Sequence, residues 1–320
     1  MAQSRVPIEV DGHLVTLSNL SKVLYPPAEG SPGFSKAEVI DYYTQVSAAL
    51  LPHVRGRPMT FTRWPDGVTG KTFFEKNAPT HTPDWVQRVT LDSPGSGKHR
   101  DTIDYVLVQD LATLVWAANL AALELHVPQW TVDSSGAHGD PDLLVLDLDP
   151  GPPATVVECA RVALALRERL EADGLAGYPK TSGSKGMQLY VPVRPAPAGQ
   201  TSGYAKRLAE ELERSQPDLV VSRMTKTLRP GKVLVDWSQN NPAKTTIAAY
   251  SLRARALPTV STPVSWDEVA RCRRPQDLRF TAPQVLDRVA RDGDLLAPLL
   301  PGPRGAAARP QLPVDQGAAG

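Results

Sequence analysis

The sequence predicts a mixed α/β fold without the regular strand–helix–strand alternation of a doubly wound sheet. Three observations lead there. Short strand-like runs and amphipathic helical stretches follow one another irregularly along 320 residues. Prolines number 31, about 10% against an average near 5%, and many sit at segment ends, as in Pro26-Pro27, Pro152-Pro153 and Pro195/Pro197. That suits many short elements and excludes a long coiled coil. The apolar share of 41% and the charged share of 22% are globular values, and a chain of this length can bury a sizeable core.

The elements read as follows. Ile8–Val10 and Leu14–Leu17 are short strands around an Asp11-Gly12 turn. Ser35 and Glu38 have capping-box spacing, and Val39, Ile40, Tyr43, Val46 and Leu50 follow at helical spacing, with Pro52 as the expected stop. Met59–Arg63 and Lys71–Glu75 are strand-like and joined by a Pro65-Asp66-Gly67 turn. Residues 92–101 form a polar loop. Asp110 caps a helix expected to run from Leu111 to about Leu125. Leu143–Asp149 is a strong strand, broken by Pro150 to Pro153, and an amphipathic helix covers Val156 to Ala172. Strand-like pieces lie at Tyr178–Lys180 and Met187–Val193, a helix at Tyr204–Arg214, and strands at Leu219–Val221 and Lys232–Trp237. Helices near Trp266–Arg271 and Pro283–Arg291 follow. No repeat or Gly/Ser linker forces a division, so residues 1–300 read as one domain and 301–320, rich in Pro, Gly and Ala, as a disordered tail.

Several classes are disfavoured. Cys159 and Cys272 are isolated, and without a Cys-x-x-Cys pair neither a zinc ribbon nor a disulfide framework is encoded. The N-terminus lacks the apolar region of a secretory signal. The apolar stretch Leu111–Val127 is interrupted by Asn119, Glu124 and His126 and is too short and polar for a bilayer. A cytoplasmic protein is expected. The formal net charge of +1 argues, taken alone, against a nucleic-acid binder of the basic-arm kind.

The sharpest chemical signal is Leu143-Leu-Val-Leu-Asp147-Leu-Asp149-Pro. Alternate residues of a strand share a face, so Asp147 and Asp149 project together, with Cα atoms roughly 7 Å apart. Two adjacent carboxylates repel unless a cation lies between them, and Mg²⁺ or Mn²⁺ prefers oxygen ligands. Two readings stand: a metal site, or a pair of solvated acids before a Pro-Gly turn. Lys232-Val-Leu-Val-Asp236 is a second apolar strand ending in an acid. If it lies beside the first, three carboxylates converge, the usual ligand set for two-metal phosphoryl transfer; otherwise Asp236 merely caps a turn. Thr181-Ser-Gly-Ser-Lys-Gly186 has phosphate-nest chemistry but no Walker A spacing; alone it is most simply a turn. From Ser222 to Ala256 there are seven basic residues (Arg223, Lys226, Arg229, Lys232, Lys244, Arg253, Arg255) and one acid, Asp236. That run suits a triphosphate or a nucleic-acid backbone. Phe73 and Phe74 face opposite sides of a strand. One of them is a candidate stacking platform, and packing of both between layers is the alternative.

Together these segments resemble one family. LDLDP, TSGSKG, TKTLRPGKVLVDWSQNNPAKTTIAAYSLR and LSNLSKVLYP look like the polymerase domain of bacterial DNA ligase D, of the archaeo-eukaryotic primase superfamily. GRPMTFTRWPDGVTGKTFFEK and LELHVPQW fit as well. The resemblance covers about residues 14–291. No Lys-x-Asp-Gly adenylation motif occurs, so a stand-alone member or a polymerase partner of a separately encoded ligase is expected.

The resemblance implies a primase-polymerase fold of mixed and antiparallel sheets flanked by helices, with an RRM-like core. It implies a nucleotidyltransferase that adds nucleotides, preferring ribonucleotides, to a DNA 3′-hydroxyl with two Mn²⁺ or Mg²⁺ ions. Asp147, Asp149 and Asp236 would be the catalytic metal ligands. Ser182, Lys185, Arg229, Gln239 and Arg253 would hold the nucleotide's phosphates and neighbouring groups, with His126 beside the active site. Phe73 and Phe74 would lie against nucleotide or template. Asn19, Lys22 and Lys36 would grip a downstream 5′-phosphate. Expected partners are gapped or broken DNA, nucleoside triphosphates, Ku and an ATP-dependent ligase in bacterial end joining, in a nucleoid-associated setting. Two departures are visible. Gln188 stands where many members have His; it can donate a hydrogen bond but carries no charge, which implies weaker triphosphate binding. Thr62 stands where ligase-linked domains tend to have a basic residue. Neither touches the carboxylates, so an active enzyme is expected. The rivals are a primase that starts chains de novo, a non-catalytic DNA-end-binding subunit and a two-metal phosphohydrolase.

Overall fold

The computed structural model describes residues 5–28, 31–92, 102–301 and 309–313. Most of the polar loop at 92–101 lies outside them. Where the sequence reads as one domain over 1–300, the contacts group into two compact units. Each is assembled from separate stretches of chain, so no linker marks a boundary.

The first unit comprises residues 1–138, 245–262 and 280–294. Its strands β1 (Arg5–Val10) and β2 (His13–Ser18) pair as a hairpin. The turn residues Asp11 and Gly12 have φ of 49° and 78°, the left-handed values a two-residue hairpin requires. Strands β3 (Val23–Tyr25) and β4 (Phe34–Ser35) lead into helix α1 (Lys36–Val54), which opens with the expected Ser35/Glu38 capping box. Pro52 does not stop α1. It lies in the last turn, where its missing N–H costs one bond, and Arg55 N–H closes the turn on the Leu51 carbonyl at 3.0 Å.

Next come β5 (Pro58–Arg63), β6 (Phe73–Glu75), β7 (Arg88–Asp92), β8 (Thr102–Leu107), helix α2 (Leu111–Asn119) and β9 (Ala122–Val127). The expected helix to Leu125 is therefore wrong in its second half. Ala121, at φ 58°, reverses the chain, and residues 122–127 form an interior strand. Glu124 and His126 alternate there with Leu123, Leu125 and Val127, but the strand follows directly on the apolar run of α2, which hides that alternation. Later in the chain β15 (Thr246–Ile247), β16 (Leu252–Ala254), β17 (Pro258–Val260) and helix α6 (Ala282–Asp292) belong to the same unit. The main sheet has order β15-β9-β5-β8-β7, with β6 added on β5. The buried Tyr43 hydroxyl donates to the Leu123 carbonyl at 2.7 Å and Tyr42 donates to Tyr250 at 2.8 Å, pinning α1 to the sheet and the returning segment.

The second unit comprises residues 139–244, 263–279 and 295–320. It contains β10 (Leu143–Pro150), α3 (Val156–Ala172), β11 (Tyr178–Thr181), β12 (Met187–Pro192), α4 (Ala198–Ser215), β13 (Val220–Val221), β14 (Val233–Asp236) and α5 (Trp266–Arg271). The sheet order is β11-β12-β10-β14-β13; every pairing is antiparallel except β13 with β14. β10 sits at the centre, and its Leu144, Leu146 and Leu148 are fully buried. Helix α3 starts on a Thr155/Glu158 capping box and matches its expected span. Helix α4 starts six residues earlier than expected, at Ala198, because a first turn of small and polar residues carries no apolar periodicity. Within the stretch read as a disordered tail, residues 309–313 are docked here. Arg309 pairs with Asp142 at 2.9 Å, Arg194 N–H donates to the Pro310 carbonyl at 2.8 Å and Leu312 is buried. No helix among the described residues is long and apolar enough to cross a membrane.

Candidate active site

The second unit carries a row of polar side chains across one face of an otherwise apolar sheet. Asp147 on β10 lies directly opposite Asp236 on β14 and directly opposite Gln188 on β12; Gln188 in turn lies opposite Lys180 on β11. Cross-strand partners share a face, and so does Asp149, two residues along. One carboxylate oxygen from each of Asp147, Asp149 and Asp236 lies within 4.8 Å of the other two, a cluster that can hold a metal ion. An all-carboxylate donor set suits a hard divalent cation.

The electrostatics fit that chemistry. Burial pushes the Asp147 carboxyl up to about 7, and the charges of Asp149 and Asp236 add to it. The Gln188 amide, donating to Asp147 Oδ1 at 3.0 Å, and the Lys180 charge pull the other way. Lys180 is fully buried, with its ammonium 5.0 Å from the Tyr190 ring centroid. Asp236 is held rigidly. Its Oδ1 accepts from the Ser238 N–H (2.9 Å) and hydroxyl (2.5 Å), and its Oδ2 from Gln239 Nε2 (3.1 Å). Lys244 donates to the same Ser238 hydroxyl. Asn240 braces the segment from below by bonding both the N–H and the C=O of Val145, at 2.9 and 2.8 Å. Its amide thereby continues the β10 ladder where β14 has ended.

The Thr181–Gly186 segment closes the β11–β12 hairpin. Ser182 Oγ accepts from the Ser184 and Gly186 N–H groups at 3.3 and 3.2 Å, so these donors are gathered on one side of the loop. A Cβ on Gly186 would stand 2.0 Å from the Leu148 carbonyl; only glycine lets the loop lie against β10 between the two aspartates. Lys185 is exposed. Arg229 reaches the end of β10 because Gly151 and Gly231 exchange a backbone bond (2.9 Å), and its Nη2 donates to the Met224 carbonyl at 2.5 Å. Arg229 Nε is buried without a hydrogen-bond partner.

In the first unit, Phe74, Thr62 and Glu124 form a row across β6, β5 and β9, while Thr60 lies opposite His126. Phe74 is therefore the phenylalanine on the Glu124 and His126 face, and it is 56% exposed; Phe73 is half-buried, with Lys71 5.1 Å from its ring centroid. Neither ring is in the core. Glu124 pairs with both His126 and Arg253, each at 3.0 Å.

Asn19, Lys22 and Lys36 are also brought together. Asn19 adopts φ 53°, its carbonyl accepts from Lys22 N–H at 3.0 Å, and the Lys22 carbonyl accepts from Lys36 N–H at 2.8 Å. Lys36 donates to the Ser18 carbonyl at 2.7 Å; burial, then the nearby Lys22 and Arg63 charges, lowers it to about 8. Lys22 pairs with Asp66 at 2.7 Å. Sequence reasoning missed Lys180, Glu124, Asn240 and Asp66 as site neighbours. For Glu124 the available signal was a charged residue between the leucines of β9; the short Tyr-Pro-Lys-Thr strand around Lys180 gave none.

The family model for the LigD primase-polymerase domain matches residues 35–296. The multifunctional non-homologous end joining protein LigD of Mycolicibacterium smegmatis is 45% identical over 287 residues, 89% of this chain and 36% of that protein. The bifunctional LigD of Bacillus subtilis is 34% identical over 261 residues, 81% of this chain and 40% of that protein. Among solved structures, the polymerase domain from Mycobacterium tuberculosis ligase D in complex with DNA superposes with a TM-score of 0.82 at 43% identity, covering 92% of this chain and 99% of that one. Fold and family model together define a primase-polymerase domain. The chain belongs to the LigD primase-polymerase domain family. It spans little more than a third of the length of the mycobacterial LigD proteins it matches.

Proposed function

We propose that the protein adds nucleotides to a DNA 3′-hydroxyl at gaps and broken ends, as a repair polymerase of bacterial non-homologous end joining. The convergence of Asp147, Asp149 and Asp236 on one sheet face, in a chain so similar to a DNA-bound polymerase domain, carries this reading. These three residues would hold two divalent ions, Mn²⁺ or Mg²⁺. Such ions supply the Lewis acidity that lowers the pKa of a 3′-hydroxyl and offsets triphosphate charge. The residues themselves position and neutralise. Ser182 and Lys185 offer N–H, hydroxyl and ammonium donors to phosphate oxygens. Arg229 adds a guanidinium, and Gln239, now bonded to Asp236, can turn its amide to the nucleotide. On the first unit His126 and Arg253 contact the nucleotide, Phe74 stacks on it or on a template base, and Asn19, Lys22 and Lys36 take a 5′-phosphate. Ribonucleotide preference, Ku and a DNA ligase as partners belong to the same reading.

The test is primer extension on a gapped duplex, with and without a downstream 5′-phosphate, comparing ribo- with deoxyribonucleotides and Mn²⁺ with Mg²⁺. Extension stimulated by the 5′-phosphate is expected. No incorporation with either metal would overturn the reading, and products on an unprimed single strand would make it a primase.

A further inference from the structure

We propose that Glu124 is a positioning residue for the nucleotide: one carboxylate on β9 that grips Arg253 and His126 together, setting where the guanidinium points and which imidazole nitrogen faces the ligand. The inference rests on the assignment of His126 and Arg253 to the nucleotide.

Glu124 is 8% exposed, and an acid buried this far in a sheet is costly unless its oxygens are met by donors. Here both are. Oε1 accepts from Arg253 Nε at 3.0 Å and from the Ala254 N–H at 3.1 Å; Oε2 meets His126 Nε2 at 3.0 Å. The main chain of Arg253 is tied down too, since the buried Tyr25 hydroxyl donates to its carbonyl at 3.1 Å. The cross-strand neighbours Thr62 and Thr60 bring no charge. Burial raises the Glu124 carboxyl, but His126, Arg253 and the Ala254 N–H outweigh it and hold it near 2. The group is then an acceptor only, so His126 Nε2 must carry the hydrogen in their bond. Nδ1 is left as the nitrogen presented to a ligand. An arginine held through Nε and a histidine held in one tautomer are pre-organised, which lowers the entropy lost on binding.

Glu124→Gln separates this role from packing. The amide keeps the shape and the oxygen acceptor for Arg253 and Ala254, but its NH₂ donates to His126 Nε2 and moves the imidazole proton to Nδ1. The nucleotide KM is expected to rise about tenfold or more, with kcat and the KM for DNA within about threefold of the parent. ¹⁵N NMR at pH 8.5 is expected to show the His126 proton on Nε2 in the parent and on Nδ1 in the variant. In an Arg253→Ala background the same substitution is expected to add less than about threefold, because the two residues act as one unit. A nucleotide KM within about twofold of the parent in Glu124→Gln, while Arg253→Ala raises it, overturns the positioning role and leaves the nucleotide assignment standing. Unchanged KM in both Arg253→Ala and His126→Ala refutes that assignment itself. Should Glu124→Gln not fold, Arg253→Lys serves: it keeps a cation without the Nε–H fork, and a parent-like nucleotide KM there overturns the inference.

Discussion

Asp147 concentrates the chemistry of the second unit. It has acids beside it and opposite it, and burial lifts its carboxyl to about 7. A divalent ion must displace that proton. Metal affinity is therefore expected to climb with pH until about 7 and then level off, with Mn²⁺ binding roughly tenfold weaker at pH 6 than at pH 8. Calorimetric titration at the two values checks this, and equal affinities would contradict it. Asp147→Ala and Asp149→Ala are expected to abolish nucleotide addition while leaving DNA binding largely intact; full activity in either variant would sink the metal assignment. Lys22 belongs to the proposed 5′-phosphate grip. Its partner Asp66 is exposed and readily displaced by phosphate. Lys22→Ala is expected to erase the preference for a gap carrying a 5′-phosphate, and an unchanged preference would remove Lys22 from that role.

At the scale of elements, the site depends on how strands end. β14 stops at Asp236, and the Asn240 amide takes over its hydrogen-bonding role on β10. Asn240→Ala strands a buried N–H and C=O of Val145, so a loss of about 2–5 kcal/mol is expected in urea denaturation, well beyond a surface substitution. Parent-like stability would show that water replaces the amide. Elements whose signals are local were legible: the caps of α1 and α2, the Asp11-Gly12 turn and the alternation that puts Asp147 and Asp149 on one face. β9 was not: it alternates Glu124 and His126 with Leu123, Leu125 and Val127, but five of its six residues are buried and it follows directly on the apolar run of α2, so the whole stretch reads as one helix. The short strands β15, β16 and β17 carry too few residues for any period.

Over the whole molecule the near-neutral balance of +1 conceals polarity, since residues 222–256 hold seven cations and a single acid that itself sits in the carboxylate cluster. DNA binding is accordingly expected to weaken steeply with salt, by roughly 0.9 log units of affinity per decade of salt for each phosphate contacted. A flat response would place the DNA contacts elsewhere. Acid stability should report the Glu124 network. Its folded-state pKa near 2 lies below the ordinary 4.5, so its contribution is complete above about pH 4.5 and disappears as the pH falls toward 2. By that shift the contribution is on the order of 3 kcal/mol. Glu124→Gln is expected to flatten the melting-temperature profile across that range.

By itself the sequence determined the fold class, the paired aspartates and the family, because each of these follows from spacing or from motif identity. Only the tertiary structure decided that Asp236 lies opposite Asp147, that Phe74 rather than Phe73 shares a face with His126, and that one carboxylate holds His126 and Arg253. These are matters of strand register and of which distant stretches of chain meet, Glu124 and Arg253 being 129 residues apart. No local pattern encodes them, because register is chosen by the summed burial of whole strands.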